Sequence, residues 1–182
     1  RVDLFFSNSN LIDKECKINN ILVPSLEKII NLIDWKELSR GIPVKYHGDF
    51  HFENILKVNK KKFCLLDFRE SFGNSNNVGD KYYDLAKLKH GFELNHKIIK
   101  DELFSIKENN GNIDFDIRKK ENFKNCEKIL ENFIIGKKLN SNKVEVLKNL
   151  IFLNISALYS YPYSNFLYFM GKYKLYKSVT NI

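Results

Sequence analysis

The sequence predicts an α+β chain, mostly helical, that carries two β-hairpins. Two observations point there. Apolar residues recur at helical spacing in several stretches, as at Leu26, Ile29, Ile30 and Ile33. Two pairs of short apolar runs are each split by a polar turn, Asn59 to Lys62 in one and Asn109-Asn110-Gly111-Asn112 in the other. The chain has 182 residues, 43% of them hydrophobic, which suffices for one compact domain with a sizeable core. Residues 1–182 are therefore read as a single domain.

The elements follow in order. Residues 1 to 6 read as extended. Pro24-Ser25 opens a helix with the apolar face just named, and Trp35 and Leu38 continue it until Gly41 and Pro43 end it. Val44 to Tyr46 leads into a polar loop. Residues 55–58 and 63–67 form the first hairpin. Asp80 is placed to cap a helix over 81–92 that continues toward 100, with Leu85, Leu88 and Phe92 as its stripe. Leu103 to Ile106 and Ile113 to Ile117 form the second hairpin. A helix over 121–135 is expected to bury Phe123, Cys126, Leu130 and Phe133. The next, over 142–160, is apolar nearly all round and is expected to be central. After Tyr161-Pro162-Tyr163 a last helix covers 164–178.

Chemistry concentrates in residues 44 to 90. His47-Gly48-Asp49-Phe50-His51-Phe52-Glu53-Asn54 is followed by Phe63-Cys64-Leu65-Leu66-Asp67-Phe68. The protein-kinase template is H-R-D-x-x-x-x-N, then D-F-G. Asp49 precedes Asn54 at that spacing, with Gly48 in place of the template's Arg. Asp67-Phe68-Arg69 stands where D-F-G would, with Arg69 in place of Gly. A third piece is Gly79-Asp80-Lys81-Tyr82-Tyr83-Asp84-Leu85-Ala86. Any one of these acids alone would read as a loop carboxylate or a capped helix; the joint pattern is what carries the site.

A phosphoryl group in transfer spreads charge over its oxygens, so a protein mostly positions and neutralises it. Mg²⁺ takes hard oxygen ligands, which suits the Asp67 carboxylate and the Asn54 amide carbonyl. A further carboxylate must orient the incoming hydroxyl and take its proton, and Asp49 is assigned that role. The first hairpin would fold Asp67 back beside Asn54.

Taken together, the HGD…N, LLD and GD…DLA series resembles the aminoglycoside phosphotransferase and choline kinase family of small-molecule kinases. The resemblance implies a protein-kinase-like C-terminal lobe, with ATP and Mg²⁺ as cofactors and a small-molecule alcohol as the second substrate. It implies that His47 shapes the loop as scaffold, and that Asp80 and Asp84 support it. Besides the motif's own Gly48, the only glycine at or before the HGD motif is Gly41. The glycine-rich phosphate loop and strand lysine of the family's N-terminal lobe are thus not in this sequence. With Arg1 rather than Met in first place, the chain is read as the C-terminal lobe alone, with little activity by itself. The short polar loop Asn74 to Asn77, where a protein kinase has its activation segment, argues for a small-molecule substrate. In the family the acceptor lies between the loop and the helices that follow it, which places specificity in residues 93 to 182.

That region holds Tyr159, Tyr161, Tyr163, Tyr168, Tyr173 and Tyr176, which could cage a quaternary ammonium or simply pack. It also holds Lys137, Lys138, Lys172, Lys174 and Lys177, which disfavour a polycationic acceptor. A sugar, a phosphorylated sugar or another small alcohol such as an amino alcohol is the better fit. The tyrosine- and asparagine-rich end is similar to bacterial members tied to surface-polysaccharide synthesis.

Other classes compete. His47, Asp49 and His51 alternate and would share one face of an extended segment, as zinc ligands do. That leaves Asn54 and GD…DLA unexplained. A non-catalytic pseudokinase that binds nucleotide is a second alternative. The net charge of +8, from 30 basic and 22 acidic residues, raises a nucleic-acid partner. Abundant Lys, Asn, Ile and Phe along the whole length look like an AT-rich coding bias, so no nucleic-acid role is assigned. Cys16, Cys64 and Cys126 are odd in number and far apart, which fits reduced thiols and a cytoplasmic location. No signal peptide is visible. The apolar stretch Val144 to Met170 is broken by Asn149, Asn154, Pro162 and Asn165, so no membrane span is expected.

Overall fold

The computed structural model describes residues 2–9, 11–76 and 78–180. Arg1, Asn77 and the expectations attached to them lie outside the described residues. The protein is α+β, about half helical, with small sheets. It divides into two compact units. One draws on Arg1–Asp34, Leu94–Lys120 and Asn149–Ile182, the other on Trp35–Glu93 and Glu121–Lys148.

The first unit opens with helix α1, Val2–Ser9. Residues 1 to 6 were expected to be extended, and over the described residues they are helical. Phe5 and Phe6 explain it: the Phe5 ring stacks on Tyr168 at 4.7 Å and Phe6 meets the same ring edge-on at 5.3 Å. Packing outweighs the weak local preference. Strands β1, Cys16–Ile18, and β2, Ile21–Val23, form a tight hairpin. Its two turn residues, Asn19 and Asn20, both take positive φ, as a type I′ turn requires.

The chain returns to this unit later. Helix α5, His96–Lys100, precedes β7, Phe104–Asn109, and β8, Asn112–Ile117. β8 pairs antiparallel with β7 and parallel with β1, giving a four-stranded sheet ordered β2-β1-β8-β7. Asn19 fixes that parallel seam, donating to the Phe115 carbonyl at 3.0 Å and accepting from its N–H at 2.8 Å. Helix α8, Tyr163–Thr180, lays Phe166 against Phe104 at 4.9 Å and Tyr173 against Phe115 at 5.5 Å. The core of the unit is Leu94, Ile98, Phe152, Phe166, Leu167 and Met170. Tyr163 and Tyr168 are buried within this packing and form no aromatic cage, while Tyr159 and Tyr161 stay exposed. Lys172 is also buried, paired with Asp13 at 3.1 Å.

Helix α2, Leu26–Asn31, is capped by Ser25 and by the Asp13 carboxylate, which accepts from the Leu26 and Glu27 N–H groups. The single helix expected to continue from it stops there, and α3, Trp35–Leu38, is separate.

The second unit begins with α3 and holds the rest. β3, Pro43–Val44, pairs with β6, Gly79–Asp80. A 3₁₀ turn, Phe52–Asn54, leads into β4, Ile55–Lys57, which pairs with β5, Phe63–Leu65. Helix α4 spans Lys81–Glu93 and ends there, because Asn95 caps the N-terminus of α5 through its side chain. Helix α6, Glu121–Gly136, buries Leu130 and Ile134. Of the four residues expected to be its buried face, only Leu130 is buried; Cys126 and Phe133 face outward and Phe123 is half-buried.

Helix α7, Ser141–Ser156, belongs to this unit up to Lys148. It is well buried, as an apolar helix would be, yet Lys143 and Lys148 are among its buried residues. Lys148 ion-pairs with Glu93 at 2.5 Å and Glu145 at 2.7 Å. Lys89 of α4 pairs with Glu131 of α6 at 2.7 Å and with Glu145 of α7. These charges persist in the interior because each is matched. No helix among the described residues is long and apolar enough to cross a membrane.

Candidate functional site

The HGD segment lies in the second unit, between β3 and β4, and α4 holds it. Asp84 accepts from two successive backbone N–H groups, His47 at 2.8 Å and Gly48 at 2.8 Å. Such charge-assisted pairs define the path of the loop closely. Asp80 does the same one strand away. Its Oδ1 accepts from the Ile42 N–H at 3.0 Å and from the Tyr82 N–H at 3.0 Å, capping α4.

Gly48 explains the departure from the kinase template. Its φ is +79°, and a Cβ there would lie 2.8 Å from Arg69 Cβ and 2.9 Å from the Tyr46 ring. No arginine fits that position. Gly79 has the same reason, since an added Cβ would lie 2.5 Å from the Tyr46 ring. The loop is thus pressed between α4 and the segment after β5, and the Arg69 N–H donates to the His47 carbonyl at 2.9 Å.

His47 is buried and stacks on Phe68 with ring centroids 4.3 Å apart. Its Nδ1 accepts from the Asp49 N–H at 3.3 Å, so Nε2 carries the proton. That Nε2 is buried without a hydrogen-bond partner among the described residues.

Asp49 projects to the other side of the loop. Lys87 Nζ, from α4, lies 2.7 Å from its Oδ1, and His51 Nε2 lies 3.3 Å from its Oδ2. Partial burial pushes the Asp49 carboxyl up, but the Lys87 hydrogen bond and charge, with His51 and Arg69 behind them, outweigh it. The net effect holds the group below the usual carboxylate range. Asp49 is therefore ionised at neutral pH and is a weak base with a fixed orientation. Lys87 was not singled out in the sequence. Its only signal is its place three residues after Asp84, on the same helix face.

Asn54 and Asp67 complete the set. Asn54 Nδ2 donates to the Asp49 carbonyl at 2.9 Å and lies 3.3 Å from His51 Nε2. Its Oδ1 has no partner among the described residues. The hairpin does bring the chain back: the Leu66 N–H donates to the Asn54 carbonyl at 2.9 Å, with Ile55 opposite Leu65. Asp67 is the next residue. It is exposed, sits in the left-handed region at φ 56°, and its carboxylate has no partner among the described residues.

Asn54 and Asp67 thus each offer an oxygen that no described residue engages. Among the described residues no three His, Cys, Asp or Glu side chains gather as a metal site, so His47, Asp49 and His51 do not form the zinc-like triad that their alternation suggested. Comparison with protein-family models, curated proteins and solved structures returns no match.

Proposed function

We propose that this chain carries the catalytic loop and metal ligands of a small-molecule kinase, in a lobe like the C-terminal lobe of protein kinases. The reaction would move the γ-phosphoryl group of ATP to a hydroxyl of a sugar or amino alcohol. One observation supports this above the rest. Asn54 is hydrogen-bonded to the main chain of Asp49, and the hairpin returns Asp67 one residue beyond the backbone partner of Asn54. Base and ligands so joined are the template's parts in the template's order.

Each residue then has a role. Asp49 orients the acceptor hydroxyl and receives its proton as the phosphoryl group departs from ATP. Its lowered pKa suits positioning over strong basicity, which matches a loose transition state. Lys87 holds that carboxylate and places a cation beside the transferred group. Asn54 Oδ1 and the Asp67 carboxylate would hold Mg²⁺, which when bound offsets the charge on the phosphate oxygens. Asp84 and Asp80 keep the loop in place. The residues named here would meet the nucleotide from the side of the catalytic loop.

Calorimetric titration of Mg-ATP into the chain tests the reading. Saturable binding with a Kd on the order of 1 mM is expected. It should disappear with EDTA and weaken at least ~10-fold in Asp67→Ala. Unaltered binding in Asp67→Ala would remove Asp67 from the metal site.

A further inference from the structure

A second site lies behind the catalytic loop. Within the second unit, the loop, α4 and α6 enclose a cleft of about 930 Å³, in the range of small-molecule pockets. Its walls are apolar: Phe52 and Phe68 from the loop side, Leu85 and Phe92 from α4, Ile129 and Phe133 from α6. Ile129 is 69% exposed and Phe133 47%, so the α6 wall is uncovered. Asp49, Asn54 and Asp67 do not line it, so the site is independent of the phosphoryl-transfer reading.

The polar groups in the cleft have one character. Lys45, Lys81 and Lys137 line it, and no ion pair holds any of them among the described residues. The one carboxylate there, Asp84, has both oxygens committed to the His47 and Gly48 N–H groups. His47 also lines the cleft, 3% exposed, with an Nε2–H that lacks an acceptor. That Nε2 is shielded within the fold, so the lysines, not the imidazole, are the groups a ligand head would meet.

We propose that this cleft binds a single-chain amphipathic anion, an apolar tail with a phosphate or carboxylate head. The tail replaces water along the phenylalanines and leucines. The head is drawn to the three lysines by charge complementarity. Because His47 stacks on Phe68 and accepts from the Asp49 N–H, occupancy would also stiffen the loop from behind.

Decyl phosphate is a suitable probe, with decanol and decyltrimethylammonium as neutral and cationic controls. Calorimetry on the 182-residue chain should show one saturable site for decyl phosphate, at least ~10-fold tighter than for the cation. Alkylation of Cys126, a lining residue, should slow on binding in a Cys64→Ser background. Phe133→Glu should abolish binding. Ile129→Glu asks the same of a more exposed position should Phe133→Glu fail to fold. Joint Lys81→Glu and Lys137→Glu changes should weaken decyl phosphate about tenfold and leave decanol unchanged. Absence of saturable binding, equal affinity for the cation, or indifference to both glutamate variants would overturn the proposal. So would a dimer in sedimentation velocity that Phe133→Glu dissolves, since a second copy would then be the occupant.

Discussion

Two halves of the candidate site differ sharply. The loop from Tyr46 to Asn54 is anchored: Asp84 takes two of its N–H groups, Lys87 takes its acid, and Gly48 leaves no room for a side chain. The hairpin that follows is open. Phe63, Leu56 and Leu66 are exposed, and Asp67 stands without a partner among the described residues. The anchored half has its acid and two of its backbone N–H groups paired within the fold, which holds the loop to one path. The open half presents a solvated carboxylate acceptor and exposed apolar surface, which a ligand or a covering element could engage. On the proposed reading, positioning would fall to the loop and ligand capture to the hairpin.

The largest expected effect lies in the anchored half. Asp84→Ala leaves two loop N–H groups without acceptors and should cost about 2–4 kcal/mol. Urea unfolding followed by circular dichroism would measure it. A loss below about 0.5 kcal/mol would mean that water replaces the carboxylate and that the loop is not held by α4.

A pH profile probes the same half from beneath. Burial, with the Lys87 charge behind it, pushes His90 of α4 down to about 3. The native state therefore holds this imidazole neutral, while the unfolded chain protonates it near 6.5. The unfolded state binds more protons, so stability rises with pH. The contribution is full above about 6.5 and is lost as pH falls from there toward 3, at up to about 1.4 kcal/mol per unit. Replacement by glutamine should flatten the slope between pH 6.5 and 5. An unchanged slope would place its source elsewhere.

The smallest effect belongs to the open half. Phe63 is 59% exposed, and Phe63→Ser should change stability by no more than about 0.5 kcal/mol. A loss above about 2 kcal/mol would show that the hairpin is covered in solution and that the contrast between the halves is false.

Much of this was legible in the chain itself. The hairpin at 55–65 followed from two apolar runs around Asn59 to Lys62, and the α4 start from Asp80. What escaped was non-local. Residues 2–9 are helical because Phe5 and Phe6 meet Tyr168. β1 and β2 are three residues each, and β1 is completed by β8, which no local pattern announces. Helical spacing on α6 located an apolar face but not which flank of it the core would take; Leu130 and Ile134 went inward, and Phe133 to the cleft. Lys87 looked like any surface lysine until the fold set it against Asp49.

The central claim is that Asn54 and Asp67 hold a metal beside the loop that carries Asp49. Replacing Mg²⁺ with paramagnetic Mn²⁺, together with ATP, tests it most directly, read in the ¹H–¹⁵N spectrum of the chain. Broadening should be strongest at the amides of Asn54, Asp67 and their neighbours, and should vanish in Asp67→Ala. Broadening centred elsewhere, or the same pattern in Asp67→Ala, would contradict the account.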